Sequence, residues 1–325
     1  MARLAVRLDA LRHNAALVAQ ACTRAGAACL PVMKSAVLHP EIAQSIAEGA
    51  KVQSFGTVAW PEHENHCLRG LELQHIYAPS VQLVGKLEEF STVFVSSQYE
   101  LRLLHGHCRK KHPALRLSLE CGDGRDGFLP EEVLPFCKQA ADLGFPLRGL
   151  SLNFACMSDI PPTLSALQNA ECALDIVRRF APDADISAGG TDMLELAESE
   201  RLPSSIREIR CGTGILLGLY PLSGKEIPGA SQETFRLEGT VLECRVKAGR
   251  KLALFDFGCL HTEASRLSTP LHGMVLCGTS SAYTVFDITE CPAPIAEGQS
   301  MDFRLDYHSL MLALGSRALP VEMAE

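Results

Sequence analysis

The stretch "ACLPVMKSAVLHPEIAQSIAEGA" (residues 28–50) combines an apolar run, a lysine and a helical pattern. Its first part, "ACLPVMK", is typical of a buried strand, and "PEIAQSIAEGA" repeats apolar residues every three or four positions. The stretch therefore predicts one strand followed by one helix. Lys34 ends the strand, where an unpaired ammonium group is costly. Lys34 either marks the exit of the strand into solvent or is an amine kept reactive by its surroundings.

The same alternation of strand and helix continues to residue 214. Alternating strands and helices connect through right-handed parallel crossovers, and eight such units close most simply into a TIM barrel. The predicted fold class is therefore α/β, with a TIM (β/α)8 barrel. The eight strand candidates are "ACLPVMK" (28–34), "VQSFGTV" (52–58), "LQHIYAP" (73–79), "STVFVSS" (91–97), "LRLSLEC" (115–121), "LRGLSLNF" (147–154), "DADISAG" (183–189) and "EIRCGTG" (208–214).

After about residue 230 the sequence becomes strand-like, with few helix signals. Runs such as "FRLEGTVLECRV" (235–246) and "RKLALFDFG" (250–258) predict a C-terminal, mostly antiparallel β-domain. We predict a barrel over residues 1–228 and a β-domain over residues 229–325. The first strand, at about residues 3–9, is expected to join the β-domain.

Composition excludes several classes of function. The chain has 325 residues, 47% of them hydrophobic, and a formal net charge of -8, which argues against a nucleic-acid partner. No uninterrupted apolar run reaches the roughly 18 residues of a transmembrane helix, so no membrane role is expected. Thirteen cysteines without a C-x-x-C pair are typical of free thiols in a reducing cytoplasm. We therefore expect a cytoplasmic protein without a metal site.

Polar and charged residues follow several of the predicted barrel strands. The chemistry of a TIM barrel lies at the C-terminal ends of its strands. Lys34 follows the first strand, "CGDGRDG" (121–127) the fifth, and Asn153 ends the sixth. The glycine-rich turns "SAGGTD" (187–192) and "RCGTG" (210–214) follow the last two. All of these groups should converge on one mouth of the barrel.

The two glycine-rich turns predict an anion site. Their backbone N–H groups can point together at an anion, and the loops after strands seven and eight are the usual phosphate site of a TIM barrel. Taken singly, either turn could simply need glycine for a positive φ. Together they predict a phosphate cradle made of Gly189, Gly190, Thr191, Gly212 and Thr213.

Two arginines belong to the same mouth. Arg210 should point into the barrel beside a ligand, or form a buried salt bridge. Arg125 is flanked by Asp123 and Asp126, so it either binds a carboxylate through its planar fork or is an exposed arginine neutralised by these acids. An amine together with a phosphate cradle suggests pyridoxal phosphate bound through Lys34.

The chain resembles the fold-type III pyridoxal-phosphate enzymes, the alanine racemase family, and most closely the ornithine/alanine racemase branch. The "GDxR[DE]G" form and Asn153, which stands where alanine racemases have histidine, are similar to that branch. The motifs that carry the resemblance are "RLAVRLDALRHNAALV" (3–18), "VMKSAVLHP" (32–40), "LECGDGRDGF" (119–128), "LRGLSLNFACM" (147–157), "SAGGTDML" (187–194), "EIRCGTGILLG" (208–218) and "MDFRLDYHSLMLALGSRALPV" (301–321).

The resemblance implies a homodimeric amino-acid racemase or epimerase that uses pyridoxal 5'-phosphate. It implies that Lys34 holds the cofactor as a Schiff base and acts as one base, and that Arg210 contacts the pyridine nitrogen. Asn153 and the two glycine-rich turns would complete the cofactor site. Arg125 would bind the substrate carboxylate, and Asp123 and Asp126 would favour a basic side chain such as that of ornithine.

The resemblance breaks down at the second acid–base group. The family tyrosine is missing from "VLECRVKAGRKLALFDFG" (241–258), and the remaining candidates are Tyr283, Cys259 and His261. Each of the three also has an ordinary structural interpretation. Tyr307 is expected within the closing strand. The family's phosphate-binding tyrosine after the lysine is also absent.

Three other functions stay open. A D-amino-acid lyase or dehydratase on the same fold would tend to carry a metal-binding His/Cys pair, for which only His272 and Cys277 are available. A non-catalytic pyridoxal-phosphate carrier is disfavoured, because the carriers of this family lack a β-domain. A sugar-phosphate barrel enzyme using Lys34 would leave every other motif a coincidence.

Overall fold

The computed structural model describes residues 1–58, 70–81 and 83–324. The chain begins with strand β1 (Arg3–Arg7), where the first strand was predicted, and helix α1 (Leu8–Arg24) follows it. All eight predicted barrel strands follow, each somewhat shorter than predicted. They are β2 (Ala28–Pro31), β3 (Ser54–Thr57), β4 (Glu72–His75), β5 (Thr92–Val95), β6 (Ala114–Leu119), β7 (Leu147–Asn153), β8 (Asp185–Gly189) and β9 (Ile206–Cys211).

These eight strands form a parallel barrel. They pair in the order β2-β9-β8-β7-β6-β5-β4-β3, and every pairing is parallel. A parallel bridge between Val32 and Gly56 joins the two ends, and the Met33 N–H donates to the Gly56 carbonyl oxygen at 3.0 Å. The predicted TIM barrel is confirmed.

Helices cover the barrel from outside. Helix α1 buries Leu11, Ala15, Val18 and Cys22 at intervals of three and four residues, and this apolar stripe packs against the barrel and the next helix. No helix within the described ranges is long and apolar enough to cross a membrane. The other barrel helices are α2 (Pro40–Ala50), α3 (Gln98–His107), α4 (Pro130–Asp142), α5 (Leu164–Arg178), α6 (Asp192–Ser199) and α7 (Thr213–Leu217).

Asn14 on α1 ties the N-terminal segment to the chain that leaves the barrel. Its side chain is fully buried and donates to the carbonyl oxygens of Ile215 at 3.3 Å and Ser231 at 2.8 Å. Its Oδ1 accepts from the Ser231 N–H at 2.8 Å. These bonds account for the asparagine of the N-terminal motif, because they hold the last βα turn against α1.

The C-terminal part folds into a mostly antiparallel sheet, as predicted. Strand β1 pairs antiparallel with β10 (Phe235–Lys247) and parallel with the last strand, β16 (Val321–Ala324). The boundary at residue 228 remains a prediction. The remaining elements are β11 (Arg250–Phe255), β12 (Leu267–Ser268), β13 (Val275–Thr279), β14 (Thr284–Asp287), β15 (Ser300–Leu305) and helix α8 (Tyr307–Gly315).

Helix α8 is the main correction to the predicted fold. The closing segment was expected to be one strand, but β15 ends at Leu305, and the Asp306 carboxylate accepts from the Ser309 N–H at 2.7 Å and caps a helix. Tyr307 is therefore the first residue of α8. The helix packs on the segment that follows β2, where His39 Nε2 lies 2.8 Å from the Leu314 carbonyl oxygen.

Candidate active site

Lys34 lies just beyond the first barrel strand rather than within it. It begins the short 3-10 segment Lys34–Leu38 with a left-handed φ of 38°, which is uncommon for a residue with a side chain. Burial lowers the pKa of its amine; Arg125 adds to this effect and Cys156 opposes it. Within the described part of the chain the amine has no carboxylate or hydrogen-bond partner. It faces the Tyr307 ring, 5.0 Å from the ring centre.

Arg210 crosses the barrel interior from β9 to β8 and β7. One terminal nitrogen, Nη1, donates to the Ser187 carbonyl oxygen at 2.7 Å and the Ser187 hydroxyl at 3.0 Å. The other, Nη2, donates to the Leu152 carbonyl oxygen and to Asn153 Oδ1, both at 2.7 Å. Burial lowers the pKa of the guanidinium to about 10, so Arg210 stays charged at neutral pH. Its Nε–H has no partner among the described residues.

A buried network of charges surrounds Arg210. The Ser187 hydroxyl donates to Glu208 Oε1 at 2.6 Å and links the Glu208 carboxylate to Arg210. Arg116 lies on the same side of the barrel, 2.6 Å from Asp185 and 3.9 Å from Glu208. Burial alone would raise the pKa of Glu208, but Arg116 and the Ser187 hydroxyl lower it. Glu208 is therefore an ionised partner for both arginines.

The two glycine-rich turns lie side by side. The Gly214 N–H donates to the Thr191 hydroxyl oxygen at 3.1 Å, and a Cβ on Gly214 would overlap the Thr191 side chain at 2.5 Å. The N–H groups of Gly190 and Thr191 have no hydrogen bond within the described chain. The N–H groups of Gly212 and Thr213 likewise have no hydrogen bond among the described residues. Four N–H groups without partners at adjacent turns are able to bind an anion.

Gly189 is required by Arg210. A Cβ built on Gly189 would lie 2.6 Å from Arg210 Nη2, closer than side-chain atoms can approach. A Cβ on Gly190 would meet no atom within 4 Å and would project into open space. The first glycine thus makes room for the guanidinium, and the second leaves space beside the free N–H groups.

The charged residues of the "CGDGRDG" loop differ in their partners and in their burial. Arg125 Nε donates to Asp126 Oδ1 at 2.6 Å, and both side chains are 32% exposed. Asp123 is buried, and its Oδ1 accepts from the backbone N–H groups of Cys156 at 2.9 Å and Met157 at 3.1 Å. Burial would raise the pKa of Asp123, but these amides lower it on balance. Its Oδ2 is buried without a partner among the described residues.

Two residues of the mouth were not singled out from the sequence. The Tyr307 ring faces Lys34, and its hydroxyl would lie 3.2 Å from a Cβ on Gly212. Cys156 is exposed after β7 and acts electrostatically on Lys34, Arg210 and Tyr307. Neither could be placed at the mouth from its position in the sequence, because Tyr307 lies in the other domain and Cys156 lies beyond the end of its strand.

Tyr283, Cys259 and His261 form a separate group in the β-domain. The Cys259 N–H donates to the Ser280 carbonyl oxygen at 2.9 Å, which joins the two loops that carry the three residues. Cys259 and Tyr283 are exposed, whereas His261 is buried and its Nδ1 accepts from the Gly258 N–H at 3.0 Å. No contact between these three side chains and Lys34 occurs among the described residues.

His272 and Cys277 do not form a ligand pair with a third metal-binding residue in the described chain. Both are exposed, and Cys277 Sγ lies 3.9 Å from its own strand's Val275 carbonyl oxygen. The arrangement offers no closed coordination site at this position.

The fold and the mouth define a two-domain barrel protein. Among the described residues, an unpaired lysine follows its first strand and four N–H groups without partners lie in the turns after its last two strands. The chain belongs to the alanine racemase family, since residues 6–221 match the family model described as "Alanine racemase, N-terminal domain". It is 20% identical to ornithine racemase of Acetoanaerobium sticklandii, over 99% of each chain. It is 25% identical to lysine racemase of Thermotoga maritima, over 97% of this chain and 96% of the relative.

Solved structures have the same fold. Alanine racemase from Corynebacterium glutamicum superposes with a TM-score of 0.76 at 17% identity, covering 99% of each chain. Alanine racemase from Bartonella henselae with covalently bound pyridoxal phosphate superposes with a TM-score of 0.71 at 15% identity, also over 99% of each chain. These likenesses extend over both the barrel and the β-domain.

Proposed function

We propose that the chain is a pyridoxal-phosphate-dependent amino-acid racemase. The observation that carries this proposal is the Lys34 amine, which has a lowered pKa and no partner, at the same mouth as Arg210. An amine in its neutral form can bind an aldehyde carbon, and it can also exchange a proton with a substrate.

The residues of the mouth fit the cofactor. The open space at Gly190 and the free N–H groups of both turns suit its phosphate, and the Tyr307 hydroxyl lies near enough to the Gly212 turn to add a donor. The Arg210 Nε–H, left without a partner, suits the pyridine nitrogen. When bound, pyridoxal phosphate supplies the electron-withdrawing ring that acidifies the α-hydrogen of an amino acid.

Residues of this chain would control the transfer of the substrate α-hydrogen. Arg210 would donate to the ring nitrogen without transferring a proton to it, because its pKa of about 10 keeps the guanidinium charged at neutral pH. Lys34 takes or returns the α-hydrogen on one face of the substrate. Inversion requires a second acid–base group on the opposite face.

The second group comes from Tyr283, Cys259 or His261. All three lie on two neighbouring loops, and the loop of Cys259 and His261 contacts the end of α8, where the Ser316 hydroxyl donates to the Leu260 carbonyl oxygen at 2.7 Å. Because they lack contact with Lys34 in one subunit, we propose that they serve the site of a partner in a homodimer. Tyr283 is favoured, because His261 is buried and the exposed Tyr283 phenol reaches farther from its backbone than the exposed Cys259 thiol.

We propose a basic amino acid as the substrate. Arg125 is suited to the substrate carboxylate. The Asp126 carboxylate, 32% exposed, can pair with a side-chain ammonium, and the buried Asp123 carboxylate adds negative charge to the same loop. The ornithine and lysine racemase activities of the two relatives support this choice. A lyase or dehydratase is less well supported, because His272 and Cys277 form no ligand cluster.

The proposal is tested by proton NMR of the holoenzyme in D2O with L- and D-ornithine, lysine and alanine. Loss of the α-proton signal with inversion, measured in parallel by chiral chromatography, is the expected result. Exchange without inversion would mean that Lys34 acts alone, and release of ammonia would indicate a lyase. Failure of every amino acid to exchange would contradict the proposal.

Mixed dimers test the origin of the second group. Lys34→Ala and Tyr283→Phe should each be inactive, whereas their mixture should regain activity through hybrid dimers that hold one intact site. Cys259→Ser and His261→Asn, mixed in the same way, serve as matched comparisons. If Tyr283→Phe retains full activity, Tyr283 is not the second group.

A further inference from the structure

Three cysteines far apart in the sequence meet outside the active site. Cys22 lies on α1, Cys29 on β2 and Cys211 at the end of β9. Their sulfur atoms all lie within 4.8 Å of one another, and those of Cys22 and Cys211 are 3.9 Å apart. All three side chains are buried, between α1 and the outer wall of the barrel. The sequence did not reveal this cluster, because none of the spacings forms a ligand motif.

The surroundings of the cluster restrict what it can bind. The three cysteines belong to the hydrophobic core, where a net charge is costly. The Glu208 carboxylate adds a negative potential at Cys29. A divalent cation held by three thiolates would leave an excess negative charge, and zinc sites are almost always four-coordinate. Within the described residues the cluster offers three ligands and no fourth.

A trivalent centre bound to three sulfurs leaves no net charge. We propose that Cys22, Cys29 and Cys211 form a three-thiol site for a trivalent, thiophilic metalloid, taken up as neutral arsenous acid. In the reaction three S–H bonds and three As–O bonds break and three As–S bonds form. The three thiol protons leave with the hydroxides as three water molecules, and the oxidation state of arsenic does not change.

The cluster is arranged to begin this exchange. Cys22 Sγ lies 3.9 Å from Cys211 Sγ and within 4.8 Å of Cys29 Sγ, so an arsenic atom bound to one sulfur is within reach of the other two. One thiol displaces the first hydroxide, and the two neighbouring thiols then replace the remaining hydroxides. A small uncharged acid can reach the buried cluster during a local opening of α1, whereas a hydrated ion would have to shed its water.

Arsenic bound to the three cysteines should affect the active site. In the sequence Cys211 lies between Arg210 and Gly212 of the anion cradle. Successive residues of β9 point to opposite faces, so Arg210 faces the barrel interior and Cys211 faces α1. Three As–S bonds would draw Cys211 towards α1. We therefore expect arsenite to shift the visible absorbance of bound pyridoxal phosphate as well as to occupy the cluster.

The experiment adds arsenite to the reduced holoenzyme and measures bound arsenic by native mass spectrometry and its coordination by X-ray absorption. We expect a mass increase of one arsenic minus three hydrogens, and three sulfur neighbours around the arsenic. Peptide mapping should link the peptides of Cys22, Cys29 and Cys211. Arsenate, which has no affinity for thiols, serves as the control reagent. Two-sulfur coordination, or arsenic on the exposed cysteines alone, would overturn the proposal.

Variants test which thiols are needed. Cys22→Ala, Cys29→Ala and Cys211→Ala should each weaken arsenite binding at least tenfold. Cys137→Ala removes an equally buried thiol outside the cluster and should leave binding unchanged. A second control replaces the exposed Cys156, Cys172, Cys259 and Cys277, together with Cys67, which lies outside the described residues. If a cluster variant fails to fold, the wild-type coordination still decides, and equal binding by all variants would contradict the proposal.

Discussion

The Lys34 amine lies 5.0 Å from the centre of the Tyr307 ring, and this contact joins the two domains at one site. Lys34 follows the first barrel strand, whereas Tyr307 begins the helix that follows β15. The hydrogen bond of His39 to the Leu314 carbonyl oxygen, at 2.8 Å, holds the same helix against the lysine segment. The β-domain therefore supplies one wall of a site whose charged groups belong to the barrel.

Tyr307→Phe tests the contribution of the hydroxyl. The variant keeps the ring beside Lys34 but removes the donor near Gly212. We expect pyridoxal phosphate to bind about tenfold more weakly, equivalent to about 1.4 kcal/mol, with little change in the stability of the apoprotein. Spectrophotometric titration of the apoprotein measures the affinity. Tyr99→Phe, at an exposed tyrosine of α3, is the control, and equal affinity for both variants would exclude a role for the hydroxyl.

Gly189→Ala and Gly190→Ala should fail in different ways. The new Cβ at position 189 would lie 2.6 Å from Arg210 Nη2, so the guanidinium must move and the protein should lose about 1–3 kcal/mol of stability. The Cβ at position 190 meets no protein atom, so stability should hold. Cofactor affinity should fall in both variants. Urea unfolding of the apoproteins, compared with cofactor titration, separates the two effects. A stable Gly189→Ala protein would contradict the packing described for Arg210.

Glu208→Gln tests the electrostatic support of Arg210 without changing the arginine itself. The substitution removes the buried negative charge opposite Arg116 and Arg210, which costs about 3 kcal/mol in comparable buried pairs. The pKa of Arg210 should fall further, because Glu208 raises it. We expect lower stability and an altered absorbance spectrum of the bound cofactor. Glu48→Gln breaks an exposed ion pair with Arg12 and should cost under about 1 kcal/mol, so an equal loss in both variants would refute the network.

The pH dependence of cofactor attachment should respond to the neighbours of Lys34. Arg125 lowers and Cys156 raises the pKa of the amine, after the larger effect of burial. Only the neutral amine attacks an aldehyde, so a higher pKa slows attachment at a given pH. Arg125→Met should therefore shift the rate profile of the apoprotein to higher pH, and Cys156→Ala should shift it to lower pH. Stopped-flow measurement of the visible absorbance checks both, and shifts in the same direction would contradict the charge assignment.

The barrel could be predicted from sequence because its evidence is local. Each strand is an apolar, β-branched run, and each helix has its own stripe, as "PEIAQSIAEGA" does before any tertiary contact forms. The positions of Lys34 and Arg210 followed from the rule that the strand ends of a barrel meet at one mouth. Period-two alternation in "EIRCG" also explains why Glu208 and Arg210 share the interior while Cys211 faces α1.

What could not be predicted depends on contacts between distant segments. Tyr307 was expected in a strand because "MDFRLDY" is strand-like, but the cap at Asp306 begins a helix there, and only docking of α8 brings the ring to Lys34. The Asp123 carboxylate looked available to a substrate, yet its Oδ1 binds the loop after β7 at Cys156. The spacing of residues in the sequence does not predict such contacts.

In the proposed function Lys34 carries the cofactor, and identifying the lysine that binds pyridoxal phosphate tests this attachment. Holoenzyme is reduced with sodium borohydride, digested, and mapped by mass spectrometry. We expect the pyridoxyl group on the peptide that contains Lys34 and no labelled peptide from Lys34→Ala. A pyridoxyl group on another lysine, such as the exposed Lys51, or none on any lysine, would contradict the account.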